Sequence, residues 1–209
     1  MEVLAEGLFA HTVCSTHLTR VVCYGGSILE YCGDAIVNAA NTGGVSGFGV
    51  DELVNRAAGD HDIKEARRAF GGIDTGEAKV TPSFSHTKVK WIIHAVGPVY
   101  RETSMEYERN KTASLMTKDQ LLASAYQNSL RCAQKRECRS VAFCLLSAGV
   151  FRGPKPLSEV IQCAVESVVQ FATAETHPPY FSEIGLVAFT PEEQHQLTLT
   201  FQTFQTNWL

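Results

Sequence analysis

Asp34-Ala35-Ile36-Val37-Asn38-Ala39-Ala40-Asn41-Thr42-Gly43-Gly44-Val45-Ser46-Gly47-Phe48-Gly49-Val50-Asp51 changes character twice in one short run. Ala35-Ile36-Val37 is a continuous apolar stretch, the pattern of a strand buried on both faces. A polar, glycine-rich loop follows. Val50, Leu53, Val54, Ala57 and Ala58 then recur at i, i+3, i+4, i+7 and i+8, one face of a helix. A glycine-rich loop feeding a helix N-terminus gathers backbone N–H groups around an anion. Ordinary tight turns also use glycine, so the loop alone leaves both readings open.

The pattern repeats outward from this unit. Arg20–Tyr24, Val89–Val96, Val141–Leu146 and Ile184–Phe189 are further apolar runs with strand character. Helical spacing links Leu122, Tyr126, Leu130 and Ala133. It links Leu157, Val160, Ile161, Ala164, Val165, Val168 and Val169 after Pro156, and a more polar helix is expected over 192–205 after Thr190-Pro191. Strands alternating with helices define an α/β layered domain. In such sheets ligands sit beyond the carboxyl ends of the strands. A second loop in that position reads Ser147-Ala148-Gly149-Val150-Phe151-Arg152-Gly153-Pro154. Two loops of this kind can clasp a diphosphate from both sides. The first lacks the lysine of a P-loop, neither loop carries G-x-G-x-x-G, and Phe48 stands where a nucleophile elbow needs glycine.

Charge narrows the partners. The 209 residues hold 18 Lys+Arg against 22 Asp+Glu, a net charge of −4. That balance excludes broad electrostatic capture of nucleic acid or an anionic membrane, so a phosphate must be held by local geometry. No run approaches the roughly 18 apolar residues of a membrane span. The N-terminus carries acid where a secretory signal carries base. The seven cysteines include no C-x-x-C pair and sit mostly in apolar stretches. Reduced, buried thiols, no metal site, no cofactor, and an intracellular location, cytoplasmic or nuclear, are expected. The length suits one domain over 1–209, with a long polar surface loop near 101–118.

Several stretches together resemble a known family. Asp34 to Asn41, the glycine stretch and Gly49-Val50-Asp51 are similar to the signature of macrodomains, and Val50-Asp51 resembles the MacroD-type ADP-ribosyl hydrolases. Thr75-Gly76-Glu77-Ala78, Ile92-Ile93-His94-Ala95-Val96-Gly97-Pro98 and Ser147-Ala148-Gly149-Val150-Phe151 resemble three further motifs, in the family's order. The resemblance implies a three-layer α/β sandwich whose mixed, mostly parallel six-stranded sheet lies between helices. It implies ADP-ribose as ligand and mono-ADP-ribosylated proteins as partners. The implied activity is removal of mono-ADP-ribose from acidic side chains, or deacetylation of O-acetyl-ADP-ribose.

Residue by residue, the resemblance places Asn41 on the distal ribose hydroxyls and Asp51 as the catalytic aspartate that orients or deprotonates water. Gly47, Gly49 and Val50 contact phosphate through their backbone, with Phe48 beside the distal ribose. Ser147, Ala148, Gly149 and Val150 bind phosphate from the other side, and Phe151 packs on the distal ribose. The Ile28 backbone faces adenine, and Phe189 is a candidate to stack on it. The family carries Asp where Ser27 stands, which exchanges a charge-assisted hydrogen bond to adenine for a neutral one, a difference of about 1 kcal/mol. Asn38 is read as closing the loop, His94 as a buried histidine and Arg152 as a solvated one. Two alternatives stay open: an ADP-ribose reader without turnover, and a protein-interaction scaffold that no longer binds nucleotide.

Overall fold

The computed structural model describes residues 2–5, 8–16, 19–45, 47–101, 116–174 and 180–208. Eight strands form one sheet: β1 (Glu2–Ala5), β2 (Leu8–Thr16), β3 (Thr19–Gly26), β4 (Ala35–Ala39), β5 (Ala78–Pro82), β6 (Trp91–Ala95), β7 (Ser140–Cys144) and β8 (Glu183–Ala188). Their order is β1-β2-β3-β8-β7-β4-β6-β5. The five central strands, β3, β8, β7, β4 and β6, run parallel, and the outer pairings are antiparallel. The expected six-stranded mixed sheet is therefore present as β3 to β5 in spatial order. The hairpin β1–β2 extends it to eight.

Successive residues along β4, β7 and β8 are buried, so both faces of the sheet centre are covered. Ile36, Val37, Ile92, Ile93, Val141, Phe143, Ile184 and Leu186 form the middle of one core. Helices α1 (Val50–Ala58), α2 (Asp60–Arg68), α3 (Lys118–Lys135), α4 (Leu157–Ala174) and α5 (Pro191–Trp208) supply the rest. Asp34 pins the start of β4 to β7. Its Oδ2 accepts from the Arg139 and Ser140 amides at 2.9 and 3.1 Å, and its Oδ1 accepts from Lys90 at 2.9 Å.

Four elements escaped the sequence pattern: the hairpin strands β1 and β2, helix α2 and strand β5. Helix α2 reads Asp-His-Asp-Ile-Lys-Glu-Ala-Arg-Arg, with one large aliphatic residue; its buried face is Ile63 and Arg67, one turn apart. Strand β5 is an edge strand, mostly half-buried, so no apolar run marks it. The polar loop is shorter at its far end than expected. Thr117 caps α3 in a capping box with Gln120, which fixes the helix start at Lys118. The rest of that loop, 102–115, lies outside the described residues.

Cys32, Cys132, Cys138, Cys144 and Cys163 carry free thiols. Burial pushes the thiols up, Cys144 to about 12 and Cys163 to about 11, so both stay protonated. Cys32 departs from the expected burial and is exposed. Among the described residues no helix is long and apolar enough to cross a membrane, and no cluster of His, Cys, Asp and Glu is built to hold a metal.

Candidate functional site

The chain leaves β4 toward β6 on one side of the sheet and leaves β7 toward β8 on the other. The switch point therefore falls between β4 and β7, where open α/β sheets bind ligands. The loops after these two strands are the two picked out by the sequence. Loops after β3 and β8 bring Ser27, Ile28 and Phe189 to the same end of the sheet. From β3 to β4 the row spans about 14 Å, three strand spacings of about 4.8 Å.

The loop after β7 is tied down through its carbonyls. Ala148 O accepts from Arg152 Nε at 3.1 Å and Gly149 O from the Arg152 amide at 2.9 Å. Val150 O accepts from Arg101 Nη2 at 3.1 Å and Phe151 O from the Tyr100 amide at 2.7 Å. Four successive carbonyls thus turn toward protein donors. The amides of 148–151 have no acceptor among the described residues. Ser147 starts the turn with φ 57°, and its buried hydroxyl donates to Pro98 O at 2.8 Å. A Cβ on Gly97 would meet that hydroxyl at 2.3 Å, so the approach of the segment after β6 to this loop requires glycine. Arg152, expected to be solvated, is instead half-buried and braces the loop.

The loop after β4 meets α1 at Gly49, whose φ of 70° and ψ of −130° suit glycine alone. Among the described residues no side chain caps α1, which leaves its first-turn amides without intrahelical partners. Asn41 is half-buried, and its Nδ2 donates to Val45 O at 3.1 Å, which shapes the loop from within. Phe48 is 94% exposed and Val150 67% exposed, so these apolar groups stand on opposite loops without packing partners. Phe151 is half-buried. Phe189, 66% exposed, sits before α5. Glu193 Oε2 accepts from the Phe189 and Thr190 amides there, each at 2.9 Å.

Asp51 lies beneath this loop rather than at its surface. It is 2% exposed. Its Oδ1 accepts from Asn38 Nδ2 at 2.5 Å and Arg67 Nη1 at 2.7 Å. Its Oδ2 accepts from the Gly47 amide at 2.5 Å and more distantly from Arg67 Nη2 at 3.4 Å. Asn38 Nδ2 also donates to His94 Nδ1 at 3.2 Å, which leaves His94 Nε2–H to donate to Thr81 Oγ1 at 3.0 Å. Burial, with Arg67 nearby, holds His94 well below the usual histidine range, so the ring is neutral. Asn38, expected to bond the loop, instead donates to the Asp51 and His94 side chains and bears on the loop only through Asp51, whose Oδ2 holds the Gly47 amide. Ser27 serves locally as well: its Oγ accepts from the Leu29 amide at 3.3 Å and caps a single 3-10 turn over Ile28–Glu30, with the Ile28 side chain in the core.

Arg67 had no sequence signal. It lies in a charged segment with no apolar stripe, and no motif spacing relates it to Asp51. Arg101 and Gly97 carry no sequence signal of their contacts either, because each acts on a loop carbonyl or hydroxyl distant in sequence, whereas Arg152 is close in sequence to the Ala148 and Gly149 carbonyls it braces.

The macro domain family profile matches residues 37–163, the span that carries both loops. The chain belongs to the macrodomain family. A macro domain-containing protein of Lactiplantibacillus plantarum is 38% identical over 170 residues, covering 81% of this chain and 89% of the relative. An Escherichia fergusonii protein named O-acetyl-ADP-ribose deacetylase is 36% identical over 163 residues, 77% of this macrodomain and 84% of that protein. The Trypanosoma brucei macrodomain, solved in complex with ADP-ribose, superposes with a TM-score of 0.74 at 26% identity, covering 90% of this macrodomain and 72% of that chain.

Proposed function

We propose that this macrodomain binds ADP-ribose across the strand ends and hydrolyses mono-ADP-ribose from acidic side chains of proteins, with O-acetyl-ADP-ribose as a second substrate. The observation that carries the reading is the pairing of two neutral anion sites at the switch point. On one side stand the amides of 148–151, without an acceptor among the described residues, on the other the uncapped first turn of α1. Backbone donors of this kind hold a diphosphate without net positive charge, as a chain of net charge −4 requires. Ser27, Ile28 and Phe189 take the adenine end of the row. Asn41, Phe48 and Phe151 take the distal ribose.

The scissile bond joins the anomeric carbon of the distal ribose to a Glu or Asp carboxylate. Water adds at that carbon, and the products are ADP-ribose and the free acid. A carboxylate leaves readily, so the protein's task is to place the water and balance charge developing on the sugar. Oδ1 of Asp51 has both acceptor positions filled. Oδ2 has one short bond and one of 3.4 Å, so Oδ2 is the atom through which Asp51 orients water.

That same engagement of Asp51 favours a second reading, an ADP-ribose reader without turnover. One assay separates them: incubation with a protein mono-ADP-ribosylated on glutamate, followed by measurement of released ADP-ribose. Release supports the hydrolase. Calorimetric binding of ADP-ribose without release supports the reader. Neither binding nor release at high micromolar ligand removes both and leaves the scaffold.

A further inference from the structure

Arg67 is wholly buried, and arginine is almost never so unless paired. Its Nη1 donates to Asp51 Oδ1 and to Asn55 Oδ1, each at 2.7 Å. It reaches the cleft from the end of α2. A Cβ at Gly44 would lie 3.5 Å from the Arg67 carbonyl oxygen, and the Ile73 amide donates to Thr42 O at 3.1 Å, so the chain around α2 forms the floor of the glycine loop. A buried ion pair is weak as a source of stability, because desolvation consumes much of the attraction. This one is also incompletely satisfied. Arg67 Nε, Asn38 Oδ1 and Asn55 Nδ2 are three of the four buried side-chain atoms without a partner among the described residues. A clamp kept only to join α1 to α2 is better made from apolar side chains.

The cleft supplies a reason for it. Asp51 and Glu52 put two carboxylates in the first turn of α1, where the proposed diphosphate sits. An uncancelled carboxylate under an anion site repels the ligand. Arg67 is the one cation on the Asp51 carboxylate among the described residues, and without it only the neutral donors Asn38 and Gly47 hold the carboxylate in place.

Resting on the function proposed above, we infer that Arg67 is a positioning residue of this site: it cancels the Asp51 charge beneath the diphosphate and sets the carboxylate so that Gly47 and the loop to Gly49 keep their binding shape.

The test uses the full chain with Arg67→Lys, which keeps the charge but loses the fork, and Arg67→Met, which loses both. The first readout is the Gly47 amide by nitrogen-15 NMR, because its bond to a carboxylate gives it a downfield, protected signal. In both variants that signal moves upfield and exchanges about tenfold faster. Arg67→Met weakens ADP-ribose binding by about tenfold, whereas Arg67→Lys holds it within about threefold and loses turnover about tenfold with KM little changed. A clamp with a purely structural role lowers the melting temperature but leaves the Gly47 signal, the ADP-ribose Kd and kcat of the folded variants where they were, and that result overturns the inference. If Arg67→Met does not fold, Arg67→Lys decides alone. If the wild type binds but does not turn over, the hydrolase reading fails while the Gly47 signal and the Kd still judge Arg67. If it does not bind at all, the Gly47 signal alone does so.

Discussion

Replacing Asp51 by alanine removes four acceptor contacts at once, and the consequence reaches beyond chemistry. Arg67, 0% exposed, keeps only Asn55 as partner, and the Gly47 amide and one donor position of Asn38 lose theirs. Removing one member of a buried ion pair costs about 3–5 kcal/mol, because a charge is left in low dielectric without compensation. Domains have about 5–15 kcal/mol in total, so the Asp51→Ala variant is expected to lose about a fifth or more of its stability. At about 2–4 °C per kcal/mol for a chain of this size, the melting temperature falls by about 6–20 °C. Urea unfolding gives the free energy directly. The double variant Asp51→Ala with Arg67→Met removes both charges and is expected to recover most of the loss, a non-additive cycle. A single variant within about 1 kcal/mol of wild type, or strictly additive losses in the cycle, would refute the reasoning. One corollary concerns assays: lost turnover in Asp51→Ala marks a catalytic group only if measured below the lowered melting temperature.

Three other outcomes are expected. His94 is neutral in the fold and binds a proton when unfolded, so stability is full above about pH 6.5 and declines as pH falls toward the depressed folded pKa, by up to about 1.4 kcal/mol per pH unit. Unfolding curves at pH 7.5, 6 and 5 should show this component in the wild type and not in His94→Gln; equal slopes would count against it. Gly97→Ala drives a methyl to 2.3 Å from Ser147 Oγ and should cost about 1–3 kcal/mol while displacing the 148–151 amides. Thermal melting and ADP-ribose calorimetry check it, and two unchanged values would sink the proposed packing. Ser27→Asp restores a charged acceptor at the adenine end and keeps a good cap on the 3-10 turn, so ADP-ribose should bind about tenfold tighter, a gain of about 1.4 kcal/mol. Unchanged affinity would mean that residue 27 does not face the base.

Much of the layering was legible along the chain because it is written in nearest-neighbour patterns. Strands β4, β7 and β8 are buried on both faces, so their apolar runs stand out against any loop. Helices α1, α3 and α4 each bury one stripe. The two glycine loops announced themselves through glycines next to strand ends. By contrast α2 and β5 bury little apolar surface, and the hairpin β1–β2 does not alter the central pattern it extends.

The sequence by itself thus determined the α/β class, the positions of both glycine loops and the family to which the chain belongs. Only the tertiary structure decided what those loops rest on. It turned four carbonyls of 148–151 toward Arg101, Arg152 and Tyr100. It also set Arg67 under Asp51. The physical reason is range: periodicity records which face of an element is apolar, whereas a buried ion pair depends on two polar side chains from different helices reaching one point.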